Sequence, residues 1–292
     1  MHSYADDSQL YVHAPADEVR GCTAKLTACI ADIDAWMTSN RLKLNADKTQ
    51  FIYLGSRQQL VKIAGSVVNL NTTQIKLSDD VTCLGVVVDR ELTFAAHTRR
   101  LAARCFYQLR QLRVVRRMLS TEAAKTLVHA FIVSRIDYCN SVLAGVSGVH
   151  LNKLQSVMNA AARLIANKRK FDHISATLRD DLHWLPIRQR IDYKVSLIAF
   201  KSQREGAPVY LADLCQPVAS VPGRRNLRSA SHGDLVVLKT RTKTFGPRSF
   251  AVNGPVCWNK LPLTVRDPTL SIMQFRHLLK PILFRIAYPR DP

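Results

Sequence analysis

Tyr4-Ala5-Asp6-Asp7, followed at once by Ser8-Gln9-Leu10-Tyr11-Val12, is the stretch on which the reading of this chain turns. Two adjacent carboxylates between short apolar runs predict a tight β-hairpin with the acids at its tip. Neighbouring side chains on an extended strand point to opposite faces, so a bend is needed to bring both acids to one place. Converging carboxylates suit a hard divalent cation such as Mg2+, which takes oxygen ligands. A pair of such ions stabilises the attacking and leaving oxygens of an in-line phosphoryl displacement. The same four residues also suit a plain surface turn, because turns favour Asp.

Charge is the second signal. The 292 residues have room for about two domains and carry 42 Lys and Arg against 22 Asp and Glu, a net charge of +20. The excess is uneven: residues 1–50 hold seven acids and five bases, so everything after them sums to +22. A chain this basic concentrates polyanions at its surface, most simply nucleic acid. The seven cysteines show no CxxC or finger-like spacing. That argues against a disulfide framework or a zinc site and suits a reducing compartment. Cys22 and Cys29 are expected on one helix face with Leu26 and Ile33, as small buried hydrophobes. No apolar run reaches the ~18 residues of a membrane span, and Met1 opens no signal-peptide pattern. Gly145-Val146-Ser147-Gly148 is off by one from a nucleophile elbow and lacks the preceding strand, which excludes that serine-hydrolase arrangement.

Periodicity divides the chain. Val19, Cys22, Leu26, Cys29, Ile30, Ile33, Trp36 and Met37 predict a helix opened by Pro15 and Asp17 and stopped at Asn40. Strands are expected at 42–44, 49–54, 60–63, 67–70, 75–77 and 81–88, together a small antiparallel sheet backed by that helix. From about Phe94 the period turns helical. Leu101, Cys105, Leu109, Leu112, Val115 and Leu119 form one face of a long helix. Its other faces carry Arg99, Arg100, Arg104, Arg110, Arg113, Arg116 and Arg117 with no acid among them. Arg99, Arg110, Arg113 and Arg117 share one strip, a candidate track for phosphates. Ser120 can cap a helix running to about Leu143. A further helix on Leu151, Leu154, Met158, Ala161 and Ile165 ends in Lys168-Arg169-Lys170, and another spans 187–202 after Pro186. Trp184 and Phe200 are expected in the core. Residues 216–233 read as a linker, and 224–248 hold seven basic residues against one acid, Asp234. Arg241-Thr242-Lys243 lies in the densest part of that stretch, as a basic arm or an exposed loop. Residues 256–261 and 270–284 are apolar enough to dock a final helix.

Taken in order, these elements resemble the C-terminal half of a reverse transcriptase from a LINE-type (non-LTR) retrotransposon, of the jockey-like kind. His2-Ser3-Tyr4-Ala5-Asp6-Asp7-Ser8-Gln9-Leu10-Tyr11 looks like that family's catalytic hairpin. Leu42-Lys43-Leu44-Asn45 with Lys48-Thr49-Gln50-Phe51 looks like its next palm motif. Leu84-Gly85-Val86-Val87-Val88-Asp89, with His97 beyond, is similar to the strand pair that grips a primer end. Leu182-His183-Trp184-Leu185-Pro186-Ile187, Arg190-Ile191, Tyr193-Lys194, Ala207-Pro208, Tyr210-Leu211, Arg241–Gly246 and Trp258-Asn259-Lys260-Leu261-Pro262 resemble segments beyond the polymerase core.

The resemblance implies an α+β fold: a truncated polymerase palm over 1–92, a helical thumb and connection over 93–215, and a basic linker with a C-terminal region over 216–292. It implies RNA-directed DNA synthesis with Asp6 and Asp7 as Mg2+ ligands and Lys48 near departing pyrophosphate, where a turn lysine in solvent is the alternative. Gly85 would admit the primer backbone, although a bulge glycine explains it equally well. RNA, DNA or RNA–DNA hybrid would be the partner, held by shape through Arg99, Arg110, Arg113, Arg117, Lys168, Arg169, Lys170, Arg241 and Lys243. No membrane is implied, and no small molecule beyond nucleotides. Only Met1-His2-Ser3 precede Tyr4, whereas the family places a further catalytic aspartate and the nucleotide-holding fingers upstream. These residues are therefore expected not to synthesise DNA alone, and the alternative is a non-catalytic nucleic-acid-binding relic or repurposed protein.

Overall fold

A computed structural model describes residues 2–63, 68–70, 73–75, 77–204 and 206–289. The fold is α+β, and the chain divides into two compact units, Met1–His97 and Thr98–Pro292.

The first unit opens on the expected hairpin. Strands β1 (His2–Tyr4) and β2 (Asp7–Gln9) pair antiparallel, with Tyr4 opposite Asp7. Helix α1 (Val19–Ser39) ends at Asn40, whose N–H bonds back to Trp36 and Met37. A short α2 (Arg57–Lys62) follows, capped by the Ser56 hydroxyl accepting from the Gln59 N–H. Then come two further pairs, β3 (Val68–Leu70) with β4 (Thr73–Ile75), and β5 (Asp80–Cys83) with β6 (Val86–Asp89).

Several expectations for this unit are corrected. The described strands form three separate two-stranded pairs rather than one sheet. Residues 60–62 are helical, with Ile63 as the C-cap, because the Ser56 cap and Leu60, buried on one face of α2, favour a turn of helix there. Residues 42–44 and 49–54 form no strand beyond a parallel bridge between Phe51 and Leu77. The expected single strand 81–88 is a hairpin, bent at Leu84-Gly85 where both φ angles are positive. Residues 67 and 76 of the expected strands lie outside the described residues. Along α1 no side chain is fully buried, and Cys29 and Trp36 (61% exposed) face out. The half-buried face centres on Leu26 and Met37, and at roughly 100° per residue Cys29 and Trp36 fall outside it.

The second unit is helical. Helix α3 (Ala95–Val115), begun in the first unit, buries Ala102, Cys105, Leu109 and Leu112. A 3-10 turn, Arg116–Met118, carries the chain to α4 (Thr121–Val128), where the Ser120 hydroxyl accepts from the Ala123 N–H as expected of a cap. The expected continuation to Leu143 is broken: a π-helical turn (His129–Val133) leads into α5 (Ser134–Asp137), and Cys139 turns left-handed before a 3-10 turn at Asn140–Leu143. Helix α6 (Gly148–Ile165) buries the predicted Leu151, Leu154, Met158, Ala161 and Ile165. Helix α7 (Ile187–Ser202) starts after Pro186.

Beyond two short helices, α8 (Val209–Ala212) and α9 (Arg228–Ser231), the chain returns through α10 (Phe250–Asn259) and α11 (Ile272–Ala287). These last two pack on α7. Phe200 and Phe275 stack at 4.2 Å between ring centroids, with Trp258 6.0 Å from Phe275. Leu185, Leu235, Leu261, Val265, Leu279 and Leu283 complete this core. The end of the expected linker is fastened to it. Asn259 accepts from the Leu235 N–H at 2.8 Å and donates to its carbonyl at 2.9 Å, while Trp258 Nε1 donates to the Gly233 carbonyl. Trp184 is half-buried beside Ala162, Ile174 and Leu178.

Candidate functional site

In the first unit the turn residues of the leading hairpin are Ala5 and Asp6, with Ala5 at φ 52, and Asp7 begins β2. Both carboxylates are exposed. The hairpin is tied to the next candidate motif: Gln9 Nε2 donates to Cys83 Sγ, placing β2 beside the β5–β6 hairpin and its tip at Gly85. Sequence reasoning assigned no role to either Gln9 or Cys83. Gly85, at φ 79, is explained by the turn itself.

The β5–β6 hairpin is in turn locked to the start of α3. Asp89 accepts from the Thr93 N–H (2.8 Å), the Thr93 hydroxyl (3.0 Å) and the Phe94 N–H (2.6 Å). That turn returns His97 to the strand, where its Nδ1 accepts from the Val87 N–H at 3.3 Å. Lys48 is exposed on a turn in which its N–H bonds to the Asn45 side chain. Carboxylate oxygens are the right donor chemistry for Mg2+, which is commonly held by one or two carboxylates with waters and substrate phosphates completing its octahedron. Among the described residues no group of three or more His, Cys, Asp and Glu side chains could hold a metal ion.

In the second unit the arginines separate into two kinds. Arg116 faces inward, where its Nε donates to the Leu164 carbonyl (2.7 Å), Nη2 to Ile165 (2.7 Å) and Nη1 to Leu119 (2.9 Å). It satisfies carbonyls at the C-terminal end of α6, where cations are favoured. Arg99, Arg110, Arg113 and Arg117 are exposed, and none makes an ion pair with a described acid. At 1.5 Å rise per residue, Arg99 and Arg113 lie about 21 Å apart along the helix. Phe106 (39% exposed) lies on the face of α3 that carries Arg99, Arg110 and Arg113, with Tyr107 (53% exposed) beside it, two rings that charge along the sequence does not reveal. Cationic heads around open aromatic faces can hold phosphates while the rings contact bases or sugars.

The basic loop after α6 is held rather than free. Lys168 Nζ donates to Thr177 Oγ1 at 2.9 Å, so this lysine is engaged in the loop. Arg169 and Lys170 remain exposed, as do Arg241 and Lys243 in the distal stretch. Asp234, the one acid of residues 224–248, forms a largely buried ion pair with Arg266. The buried thiols are packing groups: burial pushes Cys105 and Cys257 up to about 11, far from nucleophilic thiolates.

Comparison with known proteins adds one relationship. Over 209 residues, 70% of this chain, the sequence is 25% identical to a Drosophila melanogaster protein described as a probable RNA-directed DNA polymerase from transposon BS. The match spans 22% of that relative's length. The chain is thus distantly related to a transposon reverse transcriptase. No protein-family model and no solved structure matches it. No helix among the described residues is long and apolar enough to cross a membrane.

Proposed function

We propose that this chain is part of a non-LTR retrotransposon reverse transcriptase of the jockey-like kind, and that its second unit binds RNA–DNA hybrid through the exposed arginine strip. The observation that carries this reading is the exposed basic run: Arg99, Arg110 and Arg113 on one face of α3 and Arg117 in the 3-10 turn beyond it, none with an acidic partner among the described residues, while Arg116 of the same run is turned inward. The distant similarity to a transposon polymerase supports it. Asp6 and Asp7 would contribute carboxylate oxygens to Mg2+, which supplies charge neutralisation at the reacting phosphate. Lys48 would present a positive charge toward departing pyrophosphate.

Hybrid binding by the full chain, measured by fluorescence anisotropy, should weaken steeply as salt rises. Replacing Arg110, Arg113 and Arg117 by Ala should reduce the slope of log affinity against log salt by about one per arginine. Salt-independent binding, or an unchanged slope in the triple variant, would sink the assignment. The second reading, nucleic-acid binding without synthesis, rests on the exposed basic side chains alone and gives the two carboxylates no role. Substituting this chain for the matched segment of its Drosophila relative separates the two. Primer extension lost on Asp6→Asn with Asp7→Asn supports the catalytic role, and extension indifferent to both changes refutes it.

A further inference from the structure

The loop after α6 presents an aromatic ring that nothing above uses. Phe171 is 86% exposed, more than any other aromatic side chain among the described residues. It stands in a fixed loop. Asn167 turns left-handed at φ 52, and the Lys168 N–H bonds to the Arg163 carbonyl at 2.9 Å. Lys168 Nζ reaches Thr177 Oγ1, Arg163 Nε donates to the Asp172 carbonyl at 3.0 Å, and the Arg169 N–H donates to Asp172 Oδ2 at 2.7 Å. Four polar ties therefore hold the backbone on both sides of Phe171, while its ring makes no core contact.

Cations frame the ring. Lys170 Nζ lies over one face of the Phe171 ring, 5.2 Å from its centroid, the ring as a whole stays 86% exposed, and Arg169 is exposed one residue earlier. A flat apolar face beside two cations matches an unpaired nucleobase with its flanking phosphates: the ring stacks on the base and the cations meet the backbone. We infer that Phe171 is a stacking site for an unpaired base of single-stranded RNA or DNA, with Arg169 and Lys170 on the adjacent phosphates. The inference rests on the nucleic-acid-binding reading above and adds to it a second contact, distinct from the arginine strip.

The test uses the full chain and two probes: a single strand carrying 2-aminopurine, made as RNA and as DNA, and a long RNA–DNA hybrid. Stacking on Phe171 should change 2-aminopurine fluorescence. Phe171→Ala should abolish that change and weaken single-strand binding roughly tenfold, while leaving the salt slope and hybrid affinity unchanged. Phe171→Trp should restore binding and Phe171→Leu should not, because stacking needs a π face rather than apolar bulk. The ring packs against no core, so these variants should melt like the parent. If Phe171→Ala leaves single-strand binding intact while hybrid binding stays salt-dependent, the stacking site is refuted and the arginine-strip reading stands. If the unaltered chain binds neither probe at low salt, the underlying reading fails as well. Phe171-dependent binding to vesicles of anionic lipid, with both nucleic-acid probes unaffected, would assign the loop to a membrane surface and overturn the inference.

Discussion

Arg116 and Arg117 are neighbours in the chain with opposite duties. The first donates to three carbonyls and the second faces solvent. Arg116→Ala should therefore cost about 3 kcal/mol of stability, since charge-assisted bonds to buried carbonyls would be lost, with the salt dependence of hybrid binding unchanged. Arg117→Ala should do the reverse, and a thermal melt beside a salt titration tells the two apart. Asp192 gives a pH-dependent counterpart. Burial raises its carboxyl above the usual range despite Lys260 and Arg188 nearby. The folded state then binds its proton more tightly than the unfolded chain. The resulting penalty grows as pH rises from the unfolded pKa, about 3.9, through the folded one, and is complete above it. Asp192→Asn should raise the melting temperature at neutral pH, and the gain should vanish as pH falls below 4 or so.

Among the elements, the β5–β6 hairpin shows most clearly why local sequence was ambiguous. Eight mostly apolar residues, 81–88, read as one strand, because neither Leu84 nor its neighbours announces a bend except Gly85. Leu84 adopts φ 45, a conformation that costs a branched side chain roughly 1 kcal/mol. Leu84→Asn should stabilise the first unit by about that amount or less, since Asn tolerates the left-handed region and Asn-Gly suits this turn. Gly85→Val should destabilise it by at least 1 kcal/mol or so. Denaturant unfolding monitored on the first unit checks both signs. The long helices were easier to read: all five predicted face residues of α6 are buried, α3 buries Cys105, Leu109 and Leu112 of its predicted face while Val115 is exposed at its end, and α7 spans the expected 187–202 with Phe200 buried.

Over the whole molecule, the core of the second unit joins residues from Leu185 to Leu283, and Phe275 sits inside it fully buried. Phe275→Ala should cost about 3–5 kcal/mol, read as an earlier unfolding midpoint in urea, and should loosen Leu235 and Trp258 together. The amphipathic period, the +20 charge and the twin carboxylates were legible in the sequence because each is a property of neighbours along the chain. They were enough for the leading hairpin and the run of long helices, and with the family resemblance for the α+β class. Contacts between distant residues were decided by tertiary structure alone. Leu235 is pinned by Asn259, Asp234 is paired with Arg266, and Arg116 is drawn onto the end of α6. Charge and polarity along a chain state what a side chain can do. Which of those capacities is spent inside the fold and which is left facing solvent depends on partners tens of residues away, because burial leaves a polar group no water to bond and so fixes its partner within the protein.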